Sequence, residues 1–452
     1  MTFFKRWNNI VGWAVFAIAA MVYLLTMEPV SSLWDCSEFI ATSYKLEVGH
    51  PPGAPLFMML ARLATLFAFG NPDYVGIAVN TMNSLASAFC ILFLFWTITH
   101  LARRMMTRGG APSPAQTWAA LGAGAVGALA YTFTDTFWFS AIEGEVYALS
   151  SMFTALVVWL MLKWEEQADQ PHASRWIVLI AYLMGLSIGV HILNLLTIPT
   201  LAFIYYFRTT DRVTWRGVAW TTLAAGAVLV FINNIIIPYT VWIGAQIDTL
   251  AVNTLGLPVN SGMVVFALAL ILGLGWASWK AHRRGRVVLN ILLLSTTMIL
   301  VGFSSYASMT IRAAANPPMN SNNPNNPHAL LAVLNRVQYA RCSTAPTSRR
   351  LPRRSWRRRS PTSTRTGATR RRVSPRTTPT PRNSCTSSPA CGTLTRTNGS
   401  TNSGAPTAPA PRSHATKTAR RSATSRGVRC GRRCSTSAAG APIRTPTATR
   451  AP

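Results

Sequence analysis

The chain has 452 residues, of which 49% are hydrophobic, and a formal net charge of +30. The charge is uneven: residues 341–452 contain 24 Arg and one Lys but no Asp or Glu, whereas residues 1–340 contain 18 basic and 13 acidic side chains. The high net charge therefore does not indicate a nucleic-acid-binding domain. Apolar runs of about 20 residues, separated by short basic clusters, exclude a soluble enzyme and indicate a polytopic membrane protein.

The first predicted element is a membrane anchor at 10–27, which follows Lys5 and Arg6. A cleaved signal peptide is the alternative, but no small-residue cleavage site is evident. Eight further runs predict an all-α bundle of about nine transmembrane helices. They lie at 75–101, 117–139, 147–163, 176–192, 193–207, 217–240, 262–280 and 287–303. The spans 176–192 and 193–207 are short. They form either a hairpin or broken helices packed within the protein.

The apolar run 56–70 is treated separately because it has 15 residues and contains Arg62. At 1.5 Å per residue it is too short to cross about 30 Å of hydrocarbon comfortably, so an interfacial helix in the first outer loop is predicted. If this run does not cross the membrane, 14 basic residues of the body lie on the cytoplasmic side and four on the outer side. The positive-inside rule then predicts a cytoplasmic N-terminus and an outer C-terminus.

The first predicted outer loop contains Asp35 and Glu38, which share one face if the segment is helical. A carboxylate held there can accept a proton from an acceptor hydroxyl as that hydroxyl attacks a sugar carbon. The alternative is a solvated acidic helix face. His50 follows in the segment HPPGAP, where proline prevents a helix, and either binds a phosphate or caps that turn.

A second acidic group, Asp135, Glu143 and Glu145, precedes the span 147–163. These acids either bind a donor or acceptor hydroxyl or merely complement the dipole at the start of the helix.

Polar residues also occur at the ends of later spans. Ser187, His191 and Asn194 are predicted to share one face, either as a site or as contacts between helices. Asn233 and Asn234 are interpreted as contacts between helices. After the last span, Arg312 either grips two oxygens of a lipid phosphate or is an ordinary surface arginine.

Four separated motifs resemble, in order, those of a bacterial family of membrane proteins known only as a domain of unknown function. They are WDCSEFIATSYKLEVGHPPGAPLF, SAIEGEVYALS, GLSIGVHILNLL and RAAANPPMNSNNP. That family is related to a eukaryotic multi-span protein O-mannosyltransferase and belongs to the GT-C glycosyltransferase superfold. The resemblance covers about residues 10–340. It implies a GT-C-like enzyme that moves a sugar, with mannose as one candidate, from a polyprenyl-phosphate donor to a protein or glycan at the outer face of the bacterial inner membrane.

The resemblance also assigns roles to residues. In the GT-C pattern a catalytic carboxylate lies in the first outer loop, which implies Asp35 as the catalytic base and Glu38 as its helper. Glu143 and Glu145 match the second acidic motif, and Arg312 matches the motif after the last span. Together with three polar residues they form the predicted substrate-binding set. These three are His50, His191 and Asn194.

The expected partners are the lipid-linked sugar donor, the acceptor and membrane lipids, without nucleic acid. No cofactor is expected, and a divalent metal has no support in the sequence. Two other functions stay open. One is a flippase or transporter of a lipid-linked sugar, and the other is a membrane anchor that presents the basic segment.

The chain divides into three predicted regions: a transmembrane domain at 1–305, the start of an outer soluble domain at 306–340, and an Arg/Ser/Thr/Pro-rich tail at 341–452. The tail is expected to be disordered because it holds too few large apolar residues to offset its ordering entropy. It is either a genuine basic arm or the out-of-frame translation of GC-rich DNA. The absence of acids and the excess of Arg over Lys favour the reading-frame slip.

Overall fold

The computed structural model describes residues 2–107 and 110–339, and within these ranges the chain is helical and contains no strand. A single bridge joins Val48 to Asn320. The predicted tail at 341–452 lies outside the described residues. The helices are α1 Thr2–Thr26, α2 Cys36–Lys45, α3 Pro55–Thr65, α4 Val75–Thr107, α5 Pro114–Thr132, α6 Asp135–Ile142, α7 Val146–Gln167, α8 Ser174–Ile188, α9 Ile198–Thr209, α10 Trp215–Phe231, α11 Ile237–Leu255, α12 Ser261–Arg283, α13 Val287–Phe303, α14 Ala307–Ala314 and α15 Pro327–Leu334.

Seven helical segments in the described part of the chain are long and apolar enough to cross a membrane. Large apolar side chains are exposed on their surfaces, including Trp220 and Leu272, each 71% accessible. Such surfaces are stable in lipid rather than in water. The prediction of an all-α integral membrane protein is confirmed. The segments are Phe3–Thr26, Pro72–Thr107, Val146–Gln167, Ile192–Thr209, Trp215–Leu255, Ser261–Arg283 and Val287–Ala314.

Two of the nine predicted spans differ from these seven. The run 117–139 divides into α5 and α6 because Thr134 has an extended backbone that ends the first helix. The run 176–192 forms α8, which has only 15 residues. Helix α8 packs closely on α13, since a Cβ atom on Gly185 would lie 2.4 Å from the carbonyl oxygen of Ile299. Small residues permit this approach of two backbones, as in helices packed within a membrane protein.

The run 56–70 forms the short helix α3 followed by the 3-10 turn Leu66–Ala68. Phe57 and Met58 are buried on one side of this segment, whereas Leu63 and Phe67 are exposed on another. The short amphipathic helix is as predicted, and its location at a membrane surface stays a prediction.

Helices α4, α7 and α9 end together in a network of charged side chains. His100 and Glu165, both buried, lie 3.3 Å apart. Arg103 pairs with Glu166 at 2.5 Å, and Arg208 Nε donates to the carbonyl oxygen of Glu165 at 3.1 Å. Three of the predicted cytoplasmic basic clusters therefore meet at one end of the bundle, as the topology requires. The side of the membrane that this end faces stays a prediction.

The opposite end of α7 carries the segments in which the candidate site residues were predicted. The loop between α1 and α2, the loop before α7 and the segment after α14 all meet there. Glu28 N donates to the carbonyl oxygen of Ile142 at 3.1 Å, and Val48 N donates to that of Met319 at 3.0 Å. We call this part of the molecule the loop end. Residues of the predicted outer region 306–340 also contact a long helix, since His328 Nε2 lies 2.7 Å from Thr249 Oγ1 of α11. The division into domains stays a prediction.

Candidate active site

Helix α2 places both predicted catalytic acids at the loop end. Asp35 is the N-cap residue, and its carbonyl oxygen accepts from Phe39 N at 3.0 Å. Glu38 lies in the first turn, where a carboxylate is favoured by the helix dipole. On the other side of α2, Cys36 and Phe39 are buried, and the Phe39 ring packs edge-on against Phe57 of α3 at 5.2 Å. This apolar side fixes the helix and leaves both carboxylates at its surface.

His50 lies between the two carboxylates. Its Nδ1 is 3.2 Å from Glu38 Oε1, and its Nε2 is 3.6 Å from Asp35 Oδ2. The backbone N–H of His50 also donates to Glu38 Oε1 at 2.6 Å. Glu38 is 28% exposed and Asp35 is 59% exposed. Glu38 is therefore engaged by His50, whereas Asp35 keeps an accessible side toward an incoming hydroxyl.

The electrostatics of this array favour a charged imidazole. The hydrogen bond with Glu38 raises the pKa of His50, and the charges of Glu38, Asp35 and Glu145 add to this effect against the opposing effect of burial. The same hydrogen bond lowers the pKa of Glu38. A protonated His50 has a donor on each ring nitrogen, so it can hold both carboxylates at once.

The second acidic motif lies beside this array. Glu145 is only 6% exposed. Burial, the charge of Asp35 and the charge of Glu143 raise the pKa of Glu145 to about 7. The Glu143 carboxylate instead accepts from the hydroxyl of Ser32. Glu145 is thus poised to exchange a proton near neutral pH.

Two buried amides of α4 that the sequence analysis missed hold the loop that carries Glu143 and Glu145 and the loop between α1 and α2. Asn83 Nδ2 donates to the carbonyl oxygens of both Glu143 and Glu145, each at 2.6 Å. Asn80 Nδ2 donates to the carbonyl oxygens of Glu28 at 2.7 Å and Val30 at 3.0 Å. The available signal was the spacing of two asparagines on one face of an apolar helix, where buried amides need partners.

Arg312 does not lie free at the surface. Its Nε donates to the carbonyl oxygen of Leu46 at 2.7 Å, and its second amino group donates to that of Lys45 at 3.1 Å. Arg62 donates to the carbonyl oxygen of Tyr44 in the same turn. The two arginines thus satisfy carbonyl groups at the C-terminal end of α2, which have no partner within the helix. This placement favours a structural role over the predicted grip on a phosphate.

The predicted stripe of Ser187, His191 and Asn194 is only partly formed. Asn194 is buried, donates to Ser187 Oγ at 2.9 Å and accepts from Thr154 Oγ1 at 3.2 Å. His191 has turned away: its Nδ1 accepts from the backbone N–H of Leu193 at 3.2 Å. Burial and the charge of Arg336 lower the pKa of His191. Asn194 therefore joins helices, as the structural alternative predicted.

Two further residues lie apart from the array. Asp135 is exposed at the start of α6, one helix before Glu143 and Glu145. Asn233 and Asn234 are exposed and bond to each other at 3.1 Å, so the interpretation of this pair as contacts between helices is wrong. Within residues 2–107 and 110–339, no three His, Cys, Asp or Glu side chains are grouped so that they could hold a metal ion.

The part of the chain that contains this array is similar to a known protein family. Residues 35–214 match the family model described as the N-terminal domain of protein O-mannosyl-transferase TMEM260. The matched range begins at Asp35 and includes Glu38, His50, Glu143 and Glu145, whereas Arg312 lies outside it.

Two curated proteins are also similar to part of the chain. The mouse protein O-mannosyl-transferase TMEM260 is 32% identical over 179 residues, which are 39% of this chain and 22% of that protein. The Dictyostelium discoideum protein O-mannosyl-transferase tmem260 is 24% identical over 208 residues, which are 44% of this chain and 23% of that protein. The alignments thus span less than a quarter of the length of these relatives. No solved structure matches the chain.

These similarities confirm the predicted relation to a eukaryotic protein O-mannosyltransferase. The family match covers the segment that contains the acidic array, which makes that array the first candidate for chemistry.

Proposed function

We propose that this protein is a membrane glycosyltransferase of the GT-C type and that Asp35 is its catalytic base. The observation that carries the proposal is the array of Asp35, His50 and Glu38 at the loop end, with Glu145 beside it. The names of both relatives support transfer of a sugar over transport of a lipid-linked sugar.

In the proposed step, a carboxylate oxygen of Asp35 accepts the proton of the acceptor hydroxyl. The hydroxyl oxygen forms a bond to the anomeric carbon of the sugar, and the bond from that carbon to the phosphate oxygen breaks. The electron pair leaves with the lipid phosphate, so the reaction needs no oxidant and no nucleotide. General-base catalysis of this kind contributes roughly 10²- to 10⁴-fold.

The residues beside Asp35 support that role. His50 holds Asp35 on one side and Glu38 on the other, so that the base is oriented without being covered. A positioned group lowers the entropic cost of reaching a reactive geometry. The proposed donor is a polyprenyl-phosphate sugar, with mannose first among the candidates, and the proposed acceptor is a hydroxyl of a protein or glycan at the outer face.

The experiment is sugar transfer by the full chain reconstituted in lipid nanodiscs. The donor is radiolabelled polyprenyl-phosphate mannose, and the acceptor is a pool of peptides that contain Ser and Thr. Asp35→Asn keeps the shape of the side chain but removes the base, so the rate should fall by about 100-fold or more. Asp73→Asn, which changes an exposed acid at 72–74 outside the array, is the matched control and should keep the wild-type rate.

Two results would overturn the proposal. Transfer by Asp35→Asn at the wild-type rate would remove Asp35 as the base. Absence of transfer by the wild-type chain, from polyprenyl-phosphate mannose and from polyprenyl-phosphate glucose alike, would contradict the proposed donor class.

A further inference from the structure

A cavity of about 880 Å³ opens at the loop end, on the side of the segment that follows His50. Pro52, two residues after His50, forms part of its wall, together with Ile188 and Ile192 at the end of α8. Its volume lies in the range of pockets that enclose small ligands. The cavity therefore touches the segment that follows His50 but is formed largely by other elements.

An interruption in a long helix shapes one side of this cavity. Between α10 and α11 the residues Ile232–Ile236 form a π-helical turn, and Pro238 follows it. Proline lacks the N–H that an α-helix would use, and π-helical turns recur at functional sites. The turn carries Asn233 and Asn234, whose amides lie on the cavity wall. The cavity wall thus contains two polar side chains in the middle of the helical segment Trp215–Leu255, which is predominantly apolar.

Arg336 provides the charge. It follows α15 and lines the cavity beside Asn335 and the apolar side chain of Leu334. No acidic residue occurs among the described residues of the lining. A cavity with one guanidinium, several amides and no carboxylate is complementary to an anion, and guanidinium groups bind phosphate oxygens in pairs.

A second cavity indicates that the anion carries an apolar chain. Its volume is about 490 Å³, and its lining is mainly apolar side chains of α11, α12 and α13, such as Val264, Leu270 and Phe303. Tyr306 lines both cavities. A polar cavity and an apolar cavity that share a residue fit an amphiphile better than a free phosphate ion.

We infer that the larger cavity is the binding site of a lipid phosphate, with the phosphate group on Arg336 and the beginning of the lipid chain directed past Tyr306 into the apolar cavity. The inference rests on the proposed function, because it identifies where the donor of that reaction lies. It assigns to Arg336 the contact that the sequence analysis assigned to Arg312. In this arrangement the phosphate shares a cavity with Pro52, two residues after His50, and the inference places the anomeric carbon on the side of the acidic array.

The test is a binding measurement that does not depend on sugar transfer. The full chain in nanodiscs is titrated with radiolabelled polyprenyl phosphate, with unlabelled polyprenol and inorganic phosphate as competitors. Arg336→Gln should weaken binding about tenfold or more, since a charge-assisted pair is lost. Arg212→Gln, at another exposed arginine outside the cavity, is the matched control and should bind as the wild type does.

A second variant tests the cavity by its shape. Ile192 is 43% exposed and lines the cavity, so Ile192→Trp should fill part of the space without disturbing a buried core. Its binding of polyprenyl phosphate should also fall about tenfold. Asp35→Asn should bind as tightly as the wild-type chain, because the base is not needed for binding.

The outcomes separate the two proposals. Tight binding by both Arg336→Gln and Ile192→Trp would overturn the cavity assignment and leave Asp35 as the proposed base. Equal competition by polyprenol would overturn the assignment of the phosphate to Arg336. Displacement by inorganic phosphate at the concentration of the lipid would overturn the lipid as the occupant.

Discussion

Arg312 Nε donates a hydrogen bond of 2.7 Å to the carbonyl oxygen of Leu46, which is 266 positions earlier in the chain. Leu46 caps the C-terminal end of α2 with a left-handed backbone, at φ 50°. The segment after the last long helix thus fixes the end of the helix that carries Asp35 and Glu38. The arginine acts on the acidic array through the backbone rather than through a substrate.

Removing this contact should affect stability before substrate binding. Arg312→Ala leaves carbonyl groups of Lys45 and Leu46 without donors, so the free energy of unfolding should fall by about 1–3 kcal/mol. Thermal unfolding in nanodiscs measures this change, with Arg212→Ala as the control. Unchanged stability together with weakened binding of polyprenyl phosphate would show that Arg312 binds the phosphate.

The activity should depend on the protonation of His50. The hydrogen bond with Glu38 raises the pKa of His50, so the ring keeps its proton to a higher pH than a free imidazole and loses its second donor as the pH rises through that raised value. Transfer by the wild-type chain should therefore fall on the alkaline side. Asp35, Glu38 and Glu145 are the charged groups that act on this ring.

His50→Gln keeps a donor but cannot be protonated, so its rate should be about tenfold lower and should lose the alkaline decline. The measurement is kcat/KM between about pH 6 and pH 9. An alkaline decline that persists unchanged in His50→Gln would assign the decline to another group.

Glu145 should make the protein less stable as it ionises. Burial and the charges of Asp35 and Glu143 raise its pKa from 4.5 to about 7, so the unfolded chain loses the proton at lower pH than the folded chain does. The cost is absent below about pH 4.5, grows between the two values and is complete above about pH 7.

Glu145→Gln removes this titration. It should raise the free energy of unfolding at about pH 8 by up to about 3 kcal/mol and change it little at about pH 4. Thermal unfolding of both proteins across this range is the measurement. A stabilisation of equal size at both pH values would show that packing, and not ionisation, accounts for the effect.

Asn194 should act on stability alone. Its amide joins Ser187 of α8 to Thr154 of α7 inside the protein. Asn194→Ala leaves the Thr154 hydroxyl without its acceptor, so the free energy of unfolding should fall by about 1–3 kcal/mol. Asn253→Ala, at an exposed asparagine of α11, is the control. If Asn194→Ala unfolds like the wild type but raises KM for the donor, Asn194 would be a substrate ligand after all.

The helical membrane fold could be predicted from local patterns. An apolar run of about 20 residues has few stable structures other than a helix across lipid, because every backbone group must find its partner within the segment. The same patterns predicted spans at 117–139 and 176–192 that are longer than the helices α5 and α8 formed there. There the length of the helix depends on a break at Thr134 and on packing of α8 against α13, and neither effect is visible in hydropathy.

The proximity of Asp35 and Glu38 could also be predicted from local sequence, because two residues three positions apart approach each other in any helix. The sequence also indicated that acids were concentrated in two segments. Spacing alone could not show that His50 lies between Asp35 and Glu38, or that Glu145 is buried beside them, because those contacts depend on how α2 packs on α4 and α7.

The roles of the arginines and amides were decided only by tertiary structure. Arg312 and Arg336 are both basic residues after the last long helix, and the sequence analysis chose Arg312 because it matches a family motif. The fold turns one toward the carbonyl groups of α2 and the other into a cavity. Local sequence determines what a residue can bond to, but its partner is set by distant chain segments, 60 residues away for Asn83 and 266 for Arg312, because only the folded bundle brings their surfaces together.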